Sequence, residues 1–512
     1  MNNIKDKNDF EVAIIGGGAT GLGVAVEAAS RGYKTILFEA YDFGKGTSSK
    51  STKLVHGGLR YLANLDFKLV KEGLKERSYF LQNAPHLAHK QTFIIPFYSY
   101  WDKIKFIIGI FLYNFLAGNK KLGKSTILNK KQTLIKIPTL QENRLKGSLL
   151  YNDGQFDDAR VLISLLLTFQ NLGGIAYNYH NVTNIYKDSN NKINGLKVLD
   201  KLNNRTYEIK CRVLINATGI FADNILNLDN PHLNHHNISV SQGTHLVFDA
   251  DIFPYKQALT IAKTSDNRIL FVIPWHNKVI IGTTDILVKT PEVDPKAHED
   301  EINFILDNFN KYSIKKVNKN DIKAIFTGQR PLVTPNTKTK SAKISRKHEI
   351  IFSKSNLISI VGGKWTIYRL MGEDTINFAI KHNLLRKSKS ISKNLPLFGY
   401  LESSKIQEYP LSIYGSNYNK IIEIQSEIQN YNKIHPNLPY YIAEIIYHVR
   451  YEMAKTIEDT LARRTRALFL DAKAAIEVAP LVAKLMAKEL NKENIWIDKQ
   501  LKEFYEVAKN FI

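Results

Sequence analysis

The segment KLVHGGLRYL, residues 53–62, combines a histidine, two glycines and an arginine within an otherwise apolar stretch. Histidine exchanges a proton near neutral pH, and the arginine fork binds phosphate or carboxylate oxygens through charge-assisted hydrogen bonds. Gly57 and Gly58 remove all side chains between His56 and Arg60. This spacing predicts a place where another group comes close to the backbone, and it leaves open what Arg60 faces.

The first forty residues contain a second pattern with chemical meaning. An apolar strand, EVAII, leads into Gly16, Gly18 and Gly21, followed by an alanine-rich helix and the strand KTILF, which ends at Glu39. In this arrangement the glycines permit a tight turn, close approach of a pyrophosphate and close packing of helix on strand, while the acid accepts hydrogen bonds from a ribose. The pattern predicts a βαβ unit that binds a dinucleotide, and an acid at this position disfavours NADP.

Two further strands end in glycines, and they indicate a cofactor larger than NAD. They lie in VLINATGIFAD, residues 213–223, and in LISIVGGKWTIYR, residues 357–369. A buried strand that ends in glycine lets the chain pass close to a ligand.

With these motifs in order, the sequence resembles the FAD-dependent glycerol-3-phosphate dehydrogenases, flavoenzymes of the D-amino acid oxidase superfamily. The resemblance covers essentially the whole chain and rests on the nucleotide fingerprint and on TSSKSTKLVHGGLRYL, DGQFDDARVL, NATG, GTH, IPW, IGTTD, TGQRPL, GGKWTIYR and LARRT. The sequence departs from the family pattern at Trp365, Ile367 and Gln329, which affects the expected contacts with substrate but not the family.

The resemblance implies a set of site residues. FAD, bound non-covalently, is expected to contact Gly16, Gly18, Gly21, Glu39, Thr47, Ser48, Ser49, His56, Gly57, Gly58, Val182, Gly219, Gly362, Gly363 and Lys364. The substrate phosphate is expected to meet Arg60, Tyr61, Arg330, Lys364 and Arg369, because a dianion calls for several cations. His245 is the expected general base, with Arg330 as the cation that orients the substrate.

The resemblance further implies oxidation of sn-glycerol 3-phosphate to dihydroxyacetone phosphate, with electrons passed to a membrane quinone. A glycerol-3-phosphate oxidase that uses dioxygen remains an alternative, as does another amine or amino-acid oxidase, which needs one arginine for a carboxylate rather than several cations. A basic FAD protein that binds RNA is a third hypothesis. No nucleic-acid partner is expected, because arginine-rich tracts and aromatic residues interleaved with basic ones are absent from the sequence.

Composition restricts the setting of the protein. The net charge is +23 with a pI near 9.6, which suits an anionic membrane surface or substrate. The single cysteine, Cys211, favours a reducing compartment, and no metal site is predicted. The N-terminal residues lack an apolar run typical of a signal peptide. We therefore expect a cytoplasmic enzyme attached peripherally to the inner face of the cytoplasmic membrane, and a homodimer is compatible with the sequence.

The apolar run FIIGIFLYNFLAG, residues 106–118, is shorter than the roughly 20 residues of a membrane-spanning helix. We expect a buried helix here, with an interfacial segment as the alternative because lysines flank both ends.

The predicted fold is α/β in three domains. A discontinuous Rossmann-like FAD-binding domain comprises residues 1–90, 150–225 and 346–385, and it includes a helix over DGQFDDARVLISLLLTFQ. An antiparallel-sheet cap domain for the substrate comprises residues 91–149 and 226–345. A C-terminal helical accessory domain comprises residues 386–512, where apolar residues recur every three or four positions.

Overall fold

The computed structural model describes residues 9–58, 66–232, 237–266, 268–333 and 348–512. The strands are β1 Asp9–Ile15, β2 Thr35–Phe38, β3 Leu54–Val55, β4 Ala88–Phe97, β5 Thr126–Asn129, β6 Gly147–Phe156, β7 Ile175–Tyr177, β8 His180–Lys187, β9 Ile193–Asp200, β10 Arg205–Asn216, β11 Ile238–Asp249, β12 Ala258–Ile261, β13 Leu270–Trp275, β14 Lys278–Gly282, β15 Ile286–Val288, β16 Ala324–Val333, β17 His348–Phe352 and β18 Ile358–Gly362. The helices are α1 Ala19–Ser30, α2 Phe67–Asn83, α3 Tyr100–Ala117, α4 Lys130–Lys136, α5 Asp158–Asn171, α6 Ala222–Asp229, α7 Glu299–Tyr312, α8 Tyr368–Lys381, α9 Tyr418–Ile428, α10 Ile442–Tyr451, α11 Ala467–Leu470, α12 Ala472–Leu490 and α13 Asn494–Ala508.

The first sheet contains the predicted dinucleotide-binding unit. Its centre runs in the order β18, β10, β1, β2, β7 with parallel pairing, and within the described residues the sheet has eight strands. The central strand is buried on both faces, with Val12, Ala13 and Ile14 fully enclosed, which explains its continuous apolar sequence. The expected βαβ unit is therefore present, and the sheet carries the carboxyl ends of β1, β2, β10 and β18 at one edge, where ligands bind in such folds.

The second sheet is mostly antiparallel and has ten strands in the described part of the chain, with β11, β14, β13, β12, β4 and β6 at its centre. Strands β11 and β16 pair along ten residues, which brings His245 opposite Phe326 and Ser241 opposite Arg330. An apolar layer that includes Leu246 and Phe309 joins this sheet to α7. The predicted cap sheet is thus present.

The sheet boundaries differ from the predicted segments at strand ends. The cap sheet includes β3, all of β4 and all of β6, so that the residues DGQF complete a strand and the helix begins only at Asp158. Asp157 caps this helix by accepting a hydrogen bond from the backbone N–H of Arg160 at 3.1 Å. The prediction that the helix starts at DGQF is wrong for this reason, while the division into three domains stays a prediction.

The chain after residue 405 is helical, as its periodicity predicts. Helix α12 begins at the cap Asp471 and ends at Asn491, which adopts the left-handed conformation typical of helix C-termini. A buried pair, Arg160 with Glu452, joins α5 to the C-terminal helices through two hydrogen bonds of 2.6 and 2.7 Å. Loss of one partner would lower the free energy of unfolding, because the other charge would stay buried without a counter-charge.

Helix α3 contradicts the expectation of a buried apolar segment. The segment is helical, but its buried side chains are few, and most of its large apolar side chains face solvent. We call six of these residues the α3 apolar surface: Trp101, Ile104, Ile107, Ile108, Phe111 and Phe115. Within the described ranges, no helix is both long and apolar enough to span a bilayer. The expectation of a buried helix is therefore wrong, and the interfacial alternative stays a prediction.

Candidate active site

A cavity of about 750 Å³ opens at the carboxyl edge of the first sheet. This volume is within the range of cofactor sites. Its walls come from the β1–α1 turn, the end of β2, residues 44–48, the strand β8, the turn after β10 and the turn after β18. The lining includes the predicted residues Gly16, Gly18, Glu39, Thr47, Ser48, Val182, Gly219, Gly362, Gly363 and Lys364. Segments far apart in sequence thus meet around one cavity.

The glycine turn at α1 has the geometry that the fingerprint requires. Gly16 has φ of +106°, a conformation that side chains disfavour. A Cβ at Gly21 would lie 1.8 Å from the carbonyl oxygen of Gly16, so helix and turn pack as closely as the motif predicts. Helix α1 begins after Gly18 without a side-chain cap and without an acidic residue in its first turn. Its N-terminus therefore offers partial positive charge to an anion in the cavity.

Glu39 lies at the end of β2, where a ribose-binding acid is expected. One carboxylate oxygen accepts the N–H of Gly17 at 2.6 Å and the other accepts the N–H of Tyr41 at 2.9 Å. Burial raises the pKa of this carboxyl, while the two backbone N–H groups oppose the rise. Glu39 thereby orients the glycine turn while it lines the cavity.

The turn after β18 closes the cavity from the other side. Gly362 and Gly363 have φ of +72° and +81° and lead into Lys364 and Trp365. The indole N–H of Trp365 donates to the carbonyl oxygen of Ser48 at 2.8 Å, which ties the two walls together. Trp365, one of the departures from the family pattern, thus stabilises the wall that contains Ser48.

His56, Gly57 and Gly58 of the HGG segment are not among the residues that line this cavity. A Cβ at Gly57 would lie 2.6 Å from Leu74 and from the hydroxyl of Tyr113, so the glycine makes room for protein atoms. The N–H of Gly57 donates to that hydroxyl at 3.1 Å, and the N–H of His56 donates to Thr366 at 3.2 Å. Gly58 has φ of +84°. A side chain at Gly57 would therefore collide with α2 and α3, and the predicted contact of Gly57 and Gly58 with FAD stays a prediction.

Arg60 and Tyr61 lie outside the described residues. Ser49 does not line the cavity; it is buried, and its carbonyl oxygen accepts hydrogen bonds from Lys53 and Arg466, both at 2.8 Å. Its neighbours Thr47 and Ser48 do line the cavity, and the hydroxyl of Ser48 accepts the N–H of Ala19 at 2.9 Å.

His245 and Arg330 lie on one face of the cap sheet. The ring of His245 stacks on Phe326 and packs over Gly282, and its Nε2 is 2.9 Å from the hydroxyl of Thr52. Burial lowers the pKa of His245 well below its usual range, and the charges of Arg330 and Lys53 add to this effect. The imidazole is therefore neutral at physiological pH, as a proton acceptor must be.

The guanidinium of Arg330 is held by the turn after β14. It donates to the hydroxyl of Thr283 at 3.0 Å and lies 3.6 Å from the carboxylate of Asp285. A Cβ at Gly243 would lie 2.3 Å from this guanidinium, so the glycine provides the space for Arg330. The next residue, Pro331, lines the cavity. Arg330 itself is not among the lining residues, so it approaches the cavity only through its chain neighbour.

Arg369 is not brought to the cavity. Its guanidinium donates twice to Glu76 and once to Glu373, each at 2.7 Å, and also contacts Ser392. Its side chain is only 7% exposed. Arg369 thus joins α8 to α2, and two carboxylates already take up its charge. These contacts give the predicted contact with a substrate phosphate no support, and it stays a prediction.

Lys53 is a buried cation near His245 that the sequence analysis did not identify. It is fully enclosed, donates to Asp158 at 2.6 Å and faces the rings of Trp275, Phe326 and Phe469. Burial lowers the pKa of Lys53 to about 7, although Asp158 opposes this. Its position next to Thr52 in TSSKSTK was a signal that could have been used. In the described part of the chain, no cluster of histidine, cysteine and acidic residues could hold a metal ion.

Known families and proteins match nearly the whole chain. Residues 11–367 match the family described as FAD dependent oxidoreductase, and residues 357–496 match the C-terminal domain of alpha-glycerophosphate oxidase. A mitochondrial glycerol-3-phosphate dehydrogenase of Bos taurus is 36% identical, covering 99% of this chain and 74% of its own length. A protein of Dictyostelium discoideum named as a probable mitochondrial glycerol-3-phosphate dehydrogenase is 37% identical. The match covers 100% of this chain and 85% of that protein.

The chain belongs to the FAD-dependent glycerol-3-phosphate dehydrogenase family. The crystal structure of such a dehydrogenase from Bacillus halodurans, complexed with FAD, superposes with a TM-score of 0.80 at 27% identity, covering 99% of this chain and 95% of the other. The resemblance stated from the motifs is confirmed, and so are the α/β fold with its helical C-terminal domain and the dependence on FAD.

The cavity fits the cofactor of this family. The N-terminus of α1, which receives no cap from Gly18, faces it for the pyrophosphate, Glu39 lines it for the ribose, and Gly16 and Gly18 leave the turn without side chains. A Cβ at Gly219 would meet no atom within 4 Å, so open space lies beside this glycine as well. Residues that the family motifs predict to hold FAD thus surround a space of the right size and polarity.

Proposed function

We propose that this protein oxidises sn-glycerol 3-phosphate to dihydroxyacetone phosphate and passes the electrons to a membrane quinone. The curated relatives that match it over nearly the whole chain are named glycerol-3-phosphate dehydrogenases. The observation that carries the proposal is the pair of cations from separate motifs, Lys364 in the cavity wall and Arg330 directly before the cavity-lining Pro331. When bound, FAD supplies the hydride acceptor.

Arg330 and Lys364 are proposed to bind the substrate phosphate. A phosphate monoester is a dianion, and each charge-assisted hydrogen bond contributes about 1.5–3 kcal/mol. Arg60, which lies outside the described residues, is the third expected cation. An amine or amino-acid substrate needs one cation for its carboxylate, so two cations from separate motifs favour the phosphate ester.

His245 is proposed to remove the hydroxyl proton of C2. Its Nε2 is hydrogen-bonded to Thr52, and its Nδ1 is buried without a hydrogen bond to any residue the structure describes. Burial and the charges of Arg330 and Lys53 lower the pKa of the ring, so His245 is neutral and can accept the proton. Arg330 thus has two roles, because it attracts the phosphate and keeps the base neutral.

The α3 apolar surface supports peripheral attachment to an anionic membrane surface, on the cytoplasmic side. Trp101 is 74%, Phe111 69% and Phe115 74% exposed, and lysines at positions 103, 105, 120, 121 and 124 flank the helix. Aromatic residues on one face and lysines at the margins are typical of helices that lie in the membrane interface. A quinone dissolved in that membrane is the proposed acceptor, and a homodimer stays a prediction.

The first test is anaerobic reduction of the bound flavin, followed as loss of absorbance at about 450 nm. We expect sn-glycerol 3-phosphate to bleach it, and glycerol and a D-amino acid to leave it unchanged. Arg330→Met is expected to raise the substrate concentration needed for half-bleaching by roughly tenfold or more, while Arg450→Met, an exposed arginine of the C-terminal domain, leaves it unchanged. Bleaching by the amino acid but not by the phosphate ester would exclude the proposed substrate.

The acceptor is tested separately, because the C-terminal match carries the name of an oxidase. The reduced protein is mixed with either air-saturated buffer or a short-chain quinone, and reoxidation is timed. We expect the quinone to reoxidise the flavin faster, whereas rapid reoxidation by dioxygen with peroxide formation would favour the oxidase.

A further inference from the structure

The C-terminal helical domain holds one wall of the FAD cavity through buried charges. We call residues 39–50 the cofactor loop, because the part up to Ser48 lines the cavity at Glu39, Tyr41, Lys45 and Thr47. Between the end of β2 and the short helical turn that starts at Thr47 this loop has no regular structure. Its shape must therefore be fixed by contacts with other segments.

Asp42 is the centre of these contacts. It is fully buried, and it accepts hydrogen bonds from Arg463 at 2.5 Å and from Arg464 at 2.5 and 2.9 Å. Burial alone would raise the pKa of Asp42, but Arg464 and Arg463 lower it below its usual range. Both arginines lie in a π-helical turn of the LARRT motif, more than 400 residues away in sequence. Two cations on one carboxylate fix its position from two directions.

A second contact starts from the same turn. Arg463 also donates to Glu458 at 2.6 Å, and Glu458 accepts a hydrogen bond of 2.6 Å from Lys45, which lines the cavity. A third contact comes from Arg466, which donates to the carbonyl oxygen of Ser49 at 2.8 Å. The cofactor loop is thus held at its start, middle and end by residues 458–466.

These contacts use charges rather than apolar packing, and this has a consequence for binding. A buried ion pair adds little net stability compared with apolar residues of equal size, but it defines geometry and is costly to break. Tyr41, the residue before Asp42, lines the cavity and donates its N–H to Glu39, so the anchored carboxylate is directly adjacent to this part of the cavity wall.

We propose that Arg463 and Arg464 are positioning residues that hold the cofactor loop in the conformation that binds FAD. The C-terminal domain then determines how tightly the protein keeps its cofactor. This inference requires FAD binding but not the substrate proposed above, so it can fail or hold independently of it.

The test measures the dissociation constant of FAD with the full-length protein, from flavin fluorescence in ultrafiltrates and by titration of the apoprotein. Asp42→Asn and Arg464→Met are expected to weaken FAD binding about tenfold or more, in the range of measured couplings between sites, and Arg464→Lys is expected to recover part of the loss. The control is Arg450→Met, which removes an arginine of the same domain that pairs at the surface with Glu427 and Glu489. It is expected to leave FAD binding unchanged.

A second readout separates positioning from general stability. Thermal unfolding is measured with and without FAD, because a ligand that binds only the folded state raises the midpoint, and the rise grows with the logarithm of its affinity. We expect the FAD-induced rise to shrink in the Asp42 and Arg464 variants. Glu458→Gln, which leaves Asp42 paired, is the milder variant should those fail to fold, and a severalfold weaker FAD affinity is expected. An FAD affinity within twofold of the unmodified protein in the folded variants would overturn the proposal, as would an equal loss in Arg450→Met.

Discussion

The α3 apolar surface allows a quantitative prediction about membrane binding. The double variant Trp101→Ser with Phe111→Ser removes two aromatic side chains that are 74% and 69% exposed. A buried aromatic residue covers about 150–250 Å², so each exposes roughly 140 Å². At about 25 cal/mol per Å², full transfer of both from water is worth about 7 kcal/mol. If half of this area enters the interface, about 3.5 kcal/mol is lost, which is roughly 300-fold weaker partitioning.

The assay is flotation of the purified protein with anionic vesicles. The vesicles contain phosphatidylcholine and phosphatidylglycerol at about three to one, which gives on the order of one negative charge per four lipids. The matched control is Ile495→Ser, because Ile495 is 79% exposed but stands on α13 in the C-terminal domain. We expect the control to float like the unmodified protein and the double variant to remain in the dense fraction. Equal flotation of all three proteins would refute the assignment of this surface to the membrane.

Three further predictions concern Arg369, Glu444 and Gly57, whose surroundings the structure describes. Arg369→Met is expected to lower the free energy of unfolding by about 3–5 kcal/mol, because Glu76 is left charged and buried, with the KM for substrate unchanged in the folded fraction; a raised KM in steady-state assays would restore its predicted role. Burial raises the pKa of Glu444 to about 7, so the folded state binds the extra proton and stability falls as pH rises from about 4.5 to 7; Glu444→Gln is expected to remove this part of the pH dependence of thermal unfolding, and an unaltered profile would contradict it. Gly57→Ala is expected to lower the thermal midpoint, because the added methyl group collides with Leu74, and Leu74→Ala in the same chain is expected to restore part of it. A loss of FAD binding without loss of stability would instead support the predicted contact of Gly57 with the cofactor.

The parts of the site that could be predicted from sequence are those where local geometry dictates residue type. Gly16 has a backbone conformation open to few other residues, and Gly21 touches the backbone of the same turn. Such constraints act within a few residues, so the motif alone reveals them. The apolar strand before the turn is likewise continuous because both of its faces are covered, which the run of residues 12–15 shows directly.

The parts that could not be predicted depend on what lies opposite in space. An apolar helix has the same periodicity whether protein or lipid covers it, so the sequence of α3 did not reveal that Phe115 is exposed. Arg369 and Arg330 both follow glycine-rich strands or turns, but only the fold shows that Glu76 meets the former. The same holds for Arg464 and Asp42, since pairs of charges at such separation leave no local signal.

Helix α3 also connects the proposed membrane surface to the active site. On its inner face the hydroxyl of Tyr113 donates to Asp153 at 2.7 Å and accepts the N–H of Gly57 at 3.1 Å. Gly73 of α2 packs against Gly57. A Cβ at Gly73 would lie 3.2 Å from the amino group of Lys364, which lines the FAD cavity. One helix therefore presents aromatic side chains outward and holds the HGG segment inward. Electron transfer requires the quinone and the cofactor to be close. We therefore propose that attachment by the α3 apolar surface brings a quinone in the lipid to the side of the protein on which Gly57 and Lys364 lie.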